Sequence, residues 1–148
     1  MTKKYLLACL TVGGAMATAF SAVPALAQDM VQLSATLDGA SETAGGDADG
    51  SGAFFAEIDP DSGDLCFTLT VKDIADVTGA HVHVGAAGSD GDVVTPLNVT
   101  GEDGDECVAL QHDVAKAIVA DPSGYYVNVH NAEYPKGAIR GQLGKAAD

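Results

Sequence analysis

Three histidines stand in a pattern that suits a metal ion. His81 and His83 lie two residues apart in Gly79-Ala80-His81-Val82-His83-Val84-Gly85, and His130 closes Tyr126-Val127-Asn128-Val129-His130. Side chains of an extended strand alternate between its faces, so His81 and His83 share one face while Ala80, Val82 and Val84 take the other. The second segment repeats the pattern, with Tyr125, Val127 and Val129 toward the core and Tyr126, Asn128 and His130 away from it. Two imidazoles at this spacing can converge on one ion. A third from a neighbouring strand would complete a three-nitrogen site with an open position, suited to one copper or zinc ion. That chemistry requires the two segments to be neighbours in space. The alternative is that the rings face solvent, or donate to backbone carbonyls of the glycine-rich segment after His83 and so shape a loop.

Two further residues could support such a site. Asn128 shares the face of His130 and either orients an imidazole from outside the ligand set or is an exposed strand amide. Arg140, the only arginine in the chain, either guards an anion entrance beside the metal or pairs with some of the many carboxylates. His112 stands beside Asp113 at a helix start and reads as exposed. Asp47-Ala48-Asp49-Gly50-Ser51-Gly52 has oxygen ligands at a calcium-like spacing but lacks the closing bidentate glutamate. No serine sits in a nucleophile-elbow context, which leaves hydrolase readings without a nucleophile. The carboxylates fall in loops where no burial is expected to tune them for acid-base work.

The elements that must position these groups are short strands. Lys3 and Lys4, an apolar run from Tyr5 to Ala22, Pro24 and the small-residue site Ala25-Leu26-Ala27 have the grammar of a cleaved secretory signal over residues 1–27. Residues 28–148 then form one domain, periplasmic or secreted and free of the membrane after cleavage. Loss of Lys3 and Lys4 leaves 5 basic against 21 acidic residues, taking the net charge from −14 to −16. Such a surface repels nucleic acid and anionic lipid. Cys66 and Cys107 become the only remaining thiols in an oxidising compartment, which predicts a disulfide between them, with metal-thiolate ligation as the alternative. Strands are expected over 31–37, in a hairpin 52–59 and 64–72 closed by Pro60-Asp61-Ser62-Gly63, over 79–85, over 93–100 with a break at Pro96, and over 107–110, 125–130 and 138–143. Asp113 to Ala120 predicts about two helical turns capped by Asp113, and the Gly/Asp/Ser-rich segment 38–51 reads as a mobile surface loop. Gly85 to Gly91 is not a phosphate cradle, because no helix pattern follows it and no lysine stands beside it. This pattern indicates an all-β sandwich or barrel with one short helix.

Several stretches together resemble the CHRD domain family. They are 79–85 with Gly88 and Gly91, then 126–130 with Pro135, Gly137 and Ile139-Arg140-Gly141-Gln142-Leu143, with weaker agreement at Leu33-Ser34-Ala35, Glu42, Asp59-Pro60 and Gly63-Asp64-Leu65. Ala138 stands where that family commonly has glutamate. The resemblance implies an extracellular or periplasmic β domain without an agreed activity. Locally, Ala80-His81-Val82-His83 is similar to the copper-binding strand of copper-zinc superoxide dismutase. That likeness implies an immunoglobulin-like Greek-key β-sandwich with His81, His83 and His130 as copper ligands. The functional expectation is therefore an exported metal-binding module. A copper-dependent redox enzyme and a metal-free module meeting an extracellular protein partner are the alternatives.

Overall fold

A computed structural model describes residues 30–147. The expected leader over 1–27, with Cys9, lies outside the described residues. Nine strands and one helix follow in the order β1 (Val31–Asp38), β2 (Ser51–Ile58), β3 (Asp64–Lys72), β4 (Val77–Val84), β5 (Val93–Leu97), β6 (Glu106–Ala109), α1 (His112–Ala120), β7 (Tyr125–Asn131), β8 (Ile139–Gln142) and β9 (Gly144–Lys145). All paired strands run antiparallel. Their spatial order is β5-β4-β7-β8-β1-β2-β3-β6, with β9 beside β1.

Alternation within each strand explains why this sheet curls over on itself. In β1, Leu33, Ala35 and Leu37 are buried while their neighbours are not. Phe54, Ala56 and Ile58 of β2 and Leu65, Phe67 and Leu69 of β3 do the same, and Ala80, Val82, Val127 and Val129 from the far half of the sheet join them in one apolar cluster. A single-faced sheet must cover that face, and here one half covers the other. The result is a β-sandwich closed almost to a barrel, with α1 contributing Ala115 and Ile118 to the core. The helix begins one residue before the expected start. Gln111 takes the N-cap position without a side-chain bond, and Asp113 lies in the first turn.

The hairpin of β2 and β3 forms as the sequence predicts, pairing Ser51 with Lys72 through Ile58 with Leu65. The strand expected over 93–100 does not break at Pro96 but runs through it and ends at Leu97; β5 pairs only with β4, and an edge strand tolerates a residue without an amide donor. At the opposite edge Cys66 of β3 lies directly across from Cys107 of β6, and the two are joined by a disulfide.

That bridge closes a 41-residue span between β3 and a short edge strand. Replacing both cysteines by alanine should therefore cost about 2–4 kcal/mol, read as a lower urea midpoint, chiefly because the unfolded chain regains loop entropy.

Candidate metal centre

β4 and β7 are immediate neighbours, which the histidine reading required. Their register sets His83 across from Tyr126, His81 across from Asn128 and His130 across from Gly79. Gly79 has no side chain to occupy the space beside His130. A Cβ added there would lie 3.4 Å from Cε1 of His81, so the His81 ring leans over this position. The imidazoles consequently meet: ring centroids are 5.1 Å apart for His81 and His130, 5.6 Å for His81 and His83, and 6.5 Å for His83 and His130. One nitrogen from each ring lies within 4.8 Å of the others. The carboxylates of Asp47 and Asp49 join no such group among the described residues.

The hydrogen bonding of the rings is incomplete in a consistent way. Nδ1 of His83 lies 2.9 Å from the Gly91 carbonyl, which can only accept, so this nitrogen carries a proton, and in the neutral ring the lone pair is then on Nε2. Nε2 of His83 is buried without a partner, as are Nδ1 of His81 and Nδ1 of His130. Each ring thus holds one orphaned nitrogen. Both expectations for these residues meet here, since His83 converges with its fellows and also donates to the glycine segment.

The face carrying the histidines is not open to solvent along its length. Tyr126 and Asn128 are 3 % exposed and Arg140 is 2 % exposed, whereas β-strand alternation alone placed them on an uncovered face. The cover consists of two loops. Residues 39–50 were expected as mobile surface, yet they fold across β7 and β8: the Asp47 amide donates to the Ala138 carbonyl, and Asn128 donates through Nδ2 to Glu42. Residues 85–92 are held by Arg140, whose Nη2 donates to the carbonyls of Ala86 at 3.2 Å and Ser89 at 2.6 Å while Nη1 reaches Asp90 at 3.3 Å. Thr43 donates to the same Asp90 carboxylate at 2.7 Å and so ties the two loops together. A pocket of about 410 Å³ opens between them, with His83, His130, Tyr126, Asn128, Asp90 and Lys136 in its wall.

A family model of the CHRD domain matches residues 33–143, from β1 to the end of the last long pairing. The chain belongs to the CHRD domain family. No curated protein and no solved structure matches it. Family membership and the disulfide are compatible with an extracellular location, and among the described residues no helix is long and apolar enough to cross a membrane.

The electrostatics of the CHRD domain follow from this covering. Burial pushes the His81 imidazole below its ordinary pKa, and His83 beside it pushes the same way. Burial also lowers His130, with His81 and His83 adding to the effect and a hydrogen bond to the Pro135 backbone opposing it. Both rings are therefore neutral near pH 7, the form that ligates a metal. Glu42 moves in the opposite sense: burial raises its carboxyl from 4.5 to about 7, with Asp90 adding to the rise and with Arg140 and the Asn128 hydrogen bond resisting it. This corrects the expectation that burial tunes none of the carboxylates. Gly137 makes the contact feasible, because a Cβ there would overlap the Glu42 carboxylate and Nδ2 of Asn128.

The two supporting residues read from sequence are both buried. Asn128 is neither an exposed amide nor a hydrogen-bond partner of an imidazole; its Nδ2 serves Glu42 and its Oδ1 is buried without a partner. Arg140 does pair with a carboxylate, but from a buried position, with its guanidinium carbon 3.4 Å from the centre of the Tyr126 ring. His112 is exposed, as its setting suggests. Tyr126 and Gln142 escaped sequence reasoning. Tyr126 stacks on His83 with centroids 4.9 Å apart, and Gln142 donates to the Gly85 carbonyl at the start of the covering loop. An amide and a phenol on a strand's polar face give no sign of which loop will cover them.

Glu42 yields a pH test. Its folded pKa lies above its unfolded value, so its stabilising contribution is complete below pH 4.5 and is lost as pH rises through about 7. Glu42→Gln keeps the shape and removes the ionisation. Screening of this half-buried group limits the effect to about 1 kcal/mol. Denaturant unfolding should show the variant gaining that much on wild type between pH 4.5 and pH 8.

Proposed function

We propose that this protein is an exported metal-binding module that holds one transition-metal ion, copper or zinc, through His81, His83 and His130. The observation that carries the reading is a group of three histidines that each offer one ring nitrogen within 4.8 Å of the others and each hold a buried ring nitrogen without a hydrogen-bond partner. A buried polar atom without a partner costs free energy, and a single cation accepting three lone pairs would relieve all of them together. The donor set fits such an ion: neutral imidazoles suit copper and zinc, and three protein ligands leave a position open. Bonds of about 2.0–2.1 Å would draw the nitrogens to roughly 3.4 Å from one another, a modest inward movement of rings whose nitrogens already lie within 4.8 Å. The likeness of His81 and His83 to the dismutase copper strand supports copper, and the leader-like sequence of residues 1–27 supports export. An enzymatic redox role would need that open position to exchange ligands, and a metal-free adhesion role would leave the orphaned nitrogens without a purpose.

Calorimetric titration of copper and of zinc into chelator-stripped protein tests the site. Wild type should bind one equivalent of at least one metal, and His83→Ala should lose at least tenfold in affinity. Equal binding by both proteins would remove the proposal.

Proton competition gives a second check. Affinity should hold from pH 8 to 7 and fall toward pH 5 as the imidazoles protonate, since a charged ring cannot ligate. A flat response over that range would contradict histidine ligation.

A further inference from the structure

The arginine that the sequence left between two roles has geometry for a third. Its guanidinium lies 3.4 Å over the Tyr126 ring, and that ring lies parallel to the His83 imidazole, 6° apart in plane. Strand order places His83 on β4 and Arg140 on β8, with Tyr126 on β7 between them. One route from Arg140 to His83 therefore runs through a single aromatic ring. The second runs through backbone. Arg140 binds Ala86, Ser89 and Asp90, and two residues after Ser89 the Gly91 carbonyl receives the proton of His83 Nδ1. The Gly91 amide also donates to the Tyr126 hydroxyl at 3.3 Å, so the two routes are joined. Gly91 has no freedom to be replaced, because a Cβ there would overlap the Val84 carbonyl.

We propose that Arg140 is a positioning residue for the histidine cluster: it fixes His83 as the tautomer protonated at Nδ1, with Nε2 turned toward His81 and His130. The consequence for metal affinity rests on the metal-binding reading above, whereas the tautomer itself does not. A neutral imidazole carries one lone pair, and which nitrogen bears it is decided by the partner of the other. Arg140 supplies that decision at a distance by holding the Gly91 carbonyl in place and by confining the ring against Tyr126. Lysine would retain the charge but not the planar fork that serves two carbonyls and a carboxylate while covering a ring.

The test uses long-range proton–nitrogen correlation spectra of the histidine rings in the metal-free, full-length protein at pH 7.5. Wild-type His83 should be a single tautomer protonated at Nδ1; a mixture in wild type overturns the proposal before any variant is made. In Arg140→Lys, His83 should become a mixture of tautomers while His81 and His130 keep their wild-type signals, and zinc affinity should fall about 10–100-fold. Uniform change in all three rings would mark a merely structural role and overturn the proposal. So would an unchanged His83. Arg140→Gln, which keeps an amide donor but neither the charge nor the fork, provides the same reading if the lysine variant does not fold. Failure of the two proposals is distinguishable: a wild type that binds no zinc or copper while His83 shows these tautomers defeats the metal site alone, and an Arg140→Lys protein that binds zinc as tightly as wild type defeats the positioning role alone.

Discussion

The register of β4 against β7, continued from β7 to β8, is the constraint on which the site depends. It sets His83 beside Tyr126 and Asn128 beside Arg140, and it leaves Gly79 opposite His130. With a period of two, the same pairing that sends Val82, Val127, Val129 and Ile139 into the core sends the polar set to the other face. A shift of one residue would reverse both. The apolar face makes such a shift expensive, so hydrophobic burial fixes the meeting of the histidines although no imidazole is part of the core.

The polar face then acquires a cover of its own. Arg140 is buried with its guanidinium spread over an aromatic ring, two carbonyls and one carboxylate, a set of partners that offsets the desolvation of the charge. Glu42 lacks comparable compensation, which is why its carboxyl is held toward the neutral form. The two loops thus rest on one well-satisfied cation and one poorly satisfied acid. Because Arg140 and Asn128 are cross-strand partners, both supports stand at a single rung of the ladder.

Burial of the histidine nitrogens belongs to the same arrangement. His81 and His130 are kept neutral by partial desolvation and by their mutual proximity, and His83 is given a defined tautomer by the Gly91 carbonyl. A pocket between the covering loops reaches His83 and His130, so the cluster is sheltered without being sealed. Three imidazoles, each with a buried nitrogen free of hydrogen bonds, are gathered before any ion arrives, which reduces the reorganisation that binding would require.

Much of the fold was legible in the residues themselves. Alternation in Val31–Asp38 and Asp64–Lys72 and the Pro60–Gly63 turn are local properties, decided by which side chains fit a pleated surface and which backbone groups can pair. Local pattern likewise put His81 and His83 on one face and His130 on the polar face of a second strand. Their union was not local: it depends on β7, some forty residues later in the chain, lying against β4 rather than against any other strand. The roles of Arg140, Asn128, Glu42 and Tyr126 were further from reach, because a polar residue on a strand looks the same whether water or a folded loop lies above it. Sequence alone determined the strands, the faces and the disulfide partners through short-range periodicity and residue chemistry. Tertiary structure decided which strands adjoin and which polar groups are withdrawn from water, since both follow from long-range packing that no window of neighbouring residues encodes.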